Sequence, residues 1–207
     1  MIGARPILFT FFVLSLFAGD LGAGDLPPDL LERLQNNHEN IQNVSGTFVQ
    51  EKRLAMFEQP LISKGSFAVA KPGKIHWAYE HPASFGFASD GKNVRRWNRE
   101  SGESASRPLD RDPVLSVIVD QMLAWSTMDM QTIDRYFAVS LVESQPVLLG
   151  LKPKTDQLKG LIKRVRITFD SAGKYITKIR ITEHEGDETV IRFDKVKLNR
   201  ELPAGLF

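Results

Sequence analysis

Hydrophobic and polar positions change period along this chain, and the changes divide it into elements. Residues 7–18 form an almost unbroken apolar run, ILFTFFVLSLFA. Further on, Leu30, Leu31, Leu34 and Ile41 recur at helical spacing. Pro27-Pro28 precedes them, and proline suits a first helical turn because its missing N–H has no partner there in any case. Ser45-Gly46 is read as the end of this helix. Beyond it the period shortens to two. Residues 47–57, 63–70, 75–80, 85–89 and 93–98 are predicted strands, divided by turns at Lys71-Pro72-Gly73-Lys74, His81-Pro82 and Asp90-Gly91. The polar run 99–111 predicts a loop. Asp112-Pro113 is an N-cap followed by a first-turn proline, and residues 114–125 predict a strongly apolar helix. Strands are predicted again over 136–143, 147–151, 165–170, 175–183 and 189–198, with hairpin turns at 170–174 and 185–187. These elements define an α+β fold, one antiparallel sheet of roughly ten strands with helices packed on one face.

The alternation also says what the sheet faces. Phe67 and Val69, then Ile75, Trp77 and Tyr79, then Phe85 and Phe87 occupy one side of three successive strands, against small residues and His76 on the other. Val165, Ile167 and Phe169 oppose Arg164, Arg166 and Thr168, and Ile179 and Ile181 oppose Lys178, Arg180 and Thr182. One side is apolar and the other is basic and wet. The apolar side is either an ordinary core or the wall of a cavity loosely covered by helices. The helix at 114–125 favours the cavity. It is apolar nearly all round, and Asp120-Gln121 barely supplies the polar side that a surface helix shows.

Composition narrows the chemistry. The chain has 207 residues, 27 Lys plus Arg against 25 Asp plus Glu, and no cysteine. Such a balance excludes a strongly basic nucleic-acid binder, and the missing cysteine excludes disulfides, thiol catalysis, thiolate metal sites and attachment through a lipidated N-terminal cysteine. Arg5, the apolar run and the small residues Gly22-Ala23-Gly24 form the pattern of a secretory signal over residues 1–24. The run is shorter than the ~20 residues a membrane-spanning helix needs. The mature domain is therefore expected over 25–207, exported and soluble, in the periplasm if the source is Gram-negative.

Catalytic patterns are missing. His38, His76, His81 and His184 show no metal-ligand spacing, no nucleophile elbow or phosphate loop is present, and Glu183, Glu185, Asp187 and Glu188 read as a solvated turn. The run Arg95, Arg96, Arg99, Arg107 and Arg111 reads most simply as a solvated face, with an anionic surface as the alternative partner. The expectation is a protein without enzymatic activity, metal or cofactor.

Several segments, in this order, carry a resemblance: Val44-Ser45-Gly46-Thr47-Phe48-Val49-Gln50, Lys64-Gly65-Ser66-Phe67-Ala68-Val69, Lys71-Pro72-Gly73-Lys74-Ile75-His76-Trp77-Ala78-Tyr79, Ser89-Asp90-Gly91-Lys92, Leu151-Lys152-Pro153-Lys154, and Thr189-Val190-Ile191-Arg192-Phe193 with Asn199. With that order and spacing, the chain resembles the periplasmic outer-membrane lipoprotein carriers, the LolA-like family. The resemblance implies an unclosed antiparallel half-barrel with helices lidding a hydrophobic concave face. It implies acylated lipoprotein or lipid as cargo, an inner-membrane ABC transporter as donor and an outer-membrane lipoprotein receptor as acceptor, the carrier acting as a monomer. Phe67, Val69, Ile75, Trp77, Tyr79, Phe85 and Phe87 are then expected to line the concave face, opposite Leu115, Ile118, Met122 and Trp125. Lys71 stands where relatives carry an arginine that latches the lid. Two alternatives stay open: an envelope-binding module with a solid core, and a carrier of a different lipid or a polyene.

Overall fold

The computed structural model describes residues 26–207, so the signal read at residues 1–24 lies outside the described residues. The elements follow in the order α1 (Pro28–Glu39), β1 (Asn43–Arg53), β2 (Leu61–Ala70), β3 (Lys74–His81), β4 (Phe85–Ser89), β5 (Asn93–Asn98), β6 (Glu103–Pro108), a 3₁₀ turn (Leu109–Arg111), α2 (Pro113–Thr127), α3 (Met130–Tyr136), β7 (Phe137–Ser144), β8 (Val147–Pro153), α4 (Asp156–Lys159), β9 (Ile162–Phe169), β10 (Ile176–Glu183) and β11 (Glu188–Leu198). All the strands join one 11-stranded antiparallel sheet, in the order β6-β5-β4-β3-β2-β1-β11-β10-β9-β8-β7.

The path explains the order. β1 to β6 run outward as a meander from the middle of the sheet. The chain then crosses through α2 and α3 to the far edge, and β7 to β11 meander back until β11 pairs with β1. The sheet is open, with β6 and β7 as its outer strands. Register shifts at Ser45/Thr47, Lys64/Gly65, Leu141/Glu143, Ile176/Lys178 and Thr182/Glu183 bend the strands and raise their twist, which curls the sheet around its apolar face. Gly65 shows how closely the curl brings the backbones together: a Cβ there would lie 1.9 Å from the Ala78 carbonyl oxygen and 2.7 Å from the Phe48 ring.

Three differences from the expected elements have physical causes. Ser45-Gly46 does not end the first helix, which stops at Glu39, but lies inside β1. A Cβ on Gly46 would meet the Asp194 carbonyl at 2.8 Å, so this glycine serves close strand approach, not helix termination. The run 99–111 is not all loop: Glu103–Pro108 forms the edge strand β6, whose residues are all exposed and so show no alternation. Within that run, Arg107 is an ion-pair partner of Asp112, as is Arg96 of β5, so neither is a purely solvated charge. Helix α3, capped by the Asp129 carboxylate on the Thr132 N–H at 3.2 Å, is too short for its period to stand out.

Apolar residues pack in separate groups. The largest joins Leu30 and Leu34 of α1, Trp125 and Met128, Phe137, and the inward residues of β8 to β10, including Leu149, Val165, Ile167 and Phe169. A second, solid group holds Val69, Ile75, Val94, Leu109, Leu115 and Val119 between β2, β3, β5 and the start of α2.

His38 ties α1 to this frame. It is fully buried, its ring edge-on to Phe169 at 6.0 Å, and its Nδ1 lies 2.7 Å from the Leu34 carbonyl oxygen, so Nδ1 carries the proton. Burial pushes its pKa below the ordinary imidazole value; the Leu34 bond opposes this, the Lys71 charge adds to it and Asp170 opposes it. The folded protein thus holds His38 neutral. A depressed folded-state pKa gives stability that is complete above the unfolded-state value of about 6.5 and lost as pH falls toward the folded-state value. Thermal melts between pH 7.5 and pH 5 are therefore expected to show a falling Tm, with a shallower fall in His38→Gln. A residual slope should remain from His76, whose pKa burial also lowers. Identical slopes in the two proteins would remove His38 from this role.

Candidate functional site: an apolar hollow beneath α2

Helix α2 lies over the concave face because both of its ends are fixed. At its amino end Asp112 is the N-cap, accepting the Leu115 N–H at 3.2 Å. The same carboxylate pairs with Arg96 of β5 and Arg107 of β6. Burial opposes its ionisation, but the Leu115 N–H, the Arg107 hydrogen bond and the Arg96 charge outweigh burial and hold its pKa below the usual carboxylate value. At the other end Met128 turns the chain in the left-handed conformation, φ 53°, and its buried side chain joins the largest apolar group.

Between α2 and the sheet lies a hollow of about 380 Å³, within the size range of small-molecule sites. Trp77, Tyr79 and Phe87 of β3 and β4 form one wall, Ile179, Ile181 and Ile191 of β10 and β11 another. Val117, Ile118, Gln121, Met122 and Trp125 form the roof, and Phe137, Leu158 and Ile162 close the side toward β7 and β9. Trp77, Met122, Trp125 and Ile179 also border a narrower space of about 40 Å³ reaching Val44, Phe67, Val69, Ile176 and Phe193, with Ser126 and Tyr175 as its polar residues. Aromatic contacts stiffen the wall: Phe48 stacks on Trp77 at 4.2 Å, and Tyr79 on Phe85 at 4.5 Å. The Tyr79 hydroxyl donates to Gln50 Oε1 at 2.8 Å, and burial raises its pKa, so the phenol stays neutral.

The structure divides the expected lining. Trp77, Tyr79, Phe87, Ile118, Met122 and Trp125 surround the hollow, and Phe67 and Val69 the narrow extension. Ile75 and Leu115 line neither space; they are packed in the solid group beside Val94 and Val119. Phe85 points along the same side but stands 42% exposed beyond Tyr79. Lys71 reaches not α2 but the carboxyl end of α1, donating to the carbonyls of His38 at 3.1 Å and Glu39 at 3.2 Å. Ile179, Ile181, Ile191 and Phe193 complete the wall; the period-two alternation of their strands was the available signal. Gln121 is the residue the helix pattern misplaces. It is 5% exposed and faces inward, and neither polar atom of its amide has a hydrogen-bond partner among the described residues. Leaving such an amide dry costs about 1–3 kcal/mol.

Among the described residues no grouping of His, Asp and Glu can hold a metal ion, and no helix is long and apolar enough to cross a membrane.

An open antiparallel sheet curled round an apolar hollow, with helices over its mouth, defines the class: a half-barrel built around a hydrophobic interior. The family description "Outer membrane lipoprotein carrier protein LolA" matches residues 39–207, and the chain belongs to that family. An outer-membrane lipoprotein carrier protein of Pseudomonas putida (strain GB-1) is 26% identical, the alignment covering 98% of this chain and 92% of the relative. Among solved structures, an uncharacterised conserved protein from Thermus thermophilus shares the fold at a TM-score of 0.50 and 8% identity, over 86% of this chain and 90% of that one. A LolA superfamily protein from Nitrosomonas europaea aligns at a TM-score of 0.44 and 11% identity, over 84% and 94% of the respective chains.

Replacing Asp112 by Ala removes the cap of α2 and leaves Arg96 and Arg107 without their shared carboxylate. Loss of the cap alone is worth about 0.5–2 kcal/mol. Hydrogen exchange should quicken in the first turns of α2 while the β1–β2 and β1–β11 ladders keep their protection. Unchanged exchange in α2 would show that packing, not the cap, holds its amino end.

Proposed function

We propose that residues 25–207 form a periplasmic carrier that houses the acyl chains of lipoproteins in the hollow beneath α2. It takes them from an inner-membrane ABC transporter to an outer-membrane lipoprotein receptor. The observation that carries this reading is the apolar hollow itself, walled by both halves of the sheet and roofed by a helix. A solid-core module needs no such space. Family membership, and relatives named as outer-membrane lipoprotein carrier proteins, support the same reading. Each methylene removed from water contributes about 0.8 kcal/mol, so one fatty acyl chain supplies ample affinity without covalent chemistry. Residues 1–24 are the export signal, and the carrier works as a monomer without a cofactor.

Purification from the native host followed by lipid mass spectrometry is expected to recover acylated species bound to the protein. Ile118 gives the matching variant. It lines the hollow yet is 44% exposed, so its position faces the mouth and not packed core. Ile118→Glu is expected to weaken acyl binding by at least about tenfold, roughly 1.4 kcal/mol, with the thermal midpoint little changed. No acylated species from host or added lipoprotein, or global unfolding of the variant, would count against the carrier.

Release must run down an affinity gradient, since the sequence carries no phosphate loop, and the cover must open at a cost of only a few kcal/mol. Lys71 is part of that balance through its bonds to the last carbonyls of α1. A guanidinium at this position makes parallel bonds where an ammonium makes point contacts. Lys71→Arg is expected to retain cargo longer and to slow its transfer to acceptor membranes, and Lys71→Leu to speed it. Equal transfer of a labelled acylated cargo by all three proteins would reduce Lys71 to an ordinary turn lysine.

A further inference from the structure

Gln121 is a polar group in a space otherwise built to exclude them. It sits on the inward face of α2, one turn from Ile118 at the mouth and one turn from Trp125, which borders the narrow extension. Its side chain lines the outer hollow and not the extension. Both Nε2 and Oε1 are buried without a partner among the described residues, and so is the Trp125 indole Nε1. Water does not resolve this well. A buried water wants two to four polar partners. Apart from Gln121 and the Trp77 and Trp125 indoles, the side chains of the hollow's wall offer only the Tyr79 hydroxyl, which is already given to Gln50. The order along α2 is therefore a half-exposed apolar mouth at Ile118, then a band of unpaired donors and one acceptor at Gln121 and Trp125, with the narrow extension, bordered by Ser126 and Tyr175, beyond it.

We infer that Gln121, with the Trp125 indole N–H, binds the carbonyl that links a fatty acyl chain to its head group. This inference rests on the carrier reading and adds to it where the chain stops. The tail lies in the apolar hollow, the carbonyl oxygen accepts from Gln121 Nε2 and the Trp125 indole, and the head leaves past Ile118. An amide carbonyl is a stronger hydrogen-bond acceptor than an ester carbonyl, so an amide-linked chain is held more tightly than an ester.

The test uses the delipidated full-length mature protein and three chain-matched probes: N-methylpalmitamide, methyl palmitate and octadecane, each competing against bis-ANS. The wild type is expected to bind both carbonyl probes at least about tenfold more tightly than octadecane, with the amide ahead of the ester. Gln121→Met keeps the length and removes both polar atoms. It is expected to bring the three probes within about twofold of one another while octadecane binds as well as before. Gln121→Leu gives the same comparison should the Met variant not fold. A wild type that binds octadecane as tightly as the carbonyl probes, or a variant that keeps the preference, overturns the inference and leaves the carrier intact. Failure of all three probes to bind overturns the carrier reading itself.

Discussion

Everything in this molecule depends on the ladder between β1 and β11. It pairs Val44 with Leu198 at one end and Arg53 with Glu188 at the other, joining segments from opposite ends of the domain. One half of the sheet hangs from β1 and the other from β11. Phe67 and Trp77 come from the first half, Ile179 and Phe193 from the second, and they share one space only because this ladder sets the two curls side by side. Phe48 opposite Phe193 fixes the register at its centre. A slip of one residue there would turn the inward residues of one half of the sheet to the face opposite those of the other half.

Two helix ends, one of α2 and one of α1, are held by different physics. At the amino end of α2, one carboxylate caps the helix and joins two arginines from the sheet edge. At the carboxyl end of α1, one lysine meets the carbonyls of His38 and Glu39 in the last turn. Both are side-chain contacts whose cationic partners stay open to solvent. Between them the roof rests on apolar packing, dense around Leu115 and Val119 and loose around Ile118 and Gln121.

Much of this was legible in the chain because period-two alternation survives wherever one face is buried. Phe67, Trp77 and Phe87 announce their side, as do Ile179 and Ile181. Alternation assigns a side but not a depth, so it cannot separate Ile75, packed against Val94, from Trp77 two residues on, which borders empty space. Depth depends on which helix residue lies opposite, a long-range fact. The strand Glu103–Pro108 escaped because an edge strand exposed on every residue has no face to betray it. Gln121 was misplaced for the opposite reason. A glutamine on an apolar helix is normally its wet side, and here that expectation fails at the wall of the hollow.

The gap between β6 and β7 falls where the chain itself crosses over through α2 and α3. These two strands are the sheet's outer edges, so the seam is closed by side chains and a connecting segment, not by a ladder. Widening the hollow there breaks no backbone pairing. A closed barrel would have to unzip several amide–carbonyl bonds at once to admit a guest of the same girth. In the open sheet no ladder bond spans that gap, so the eleven-strand fabric can stay stitched as the side chains over it part.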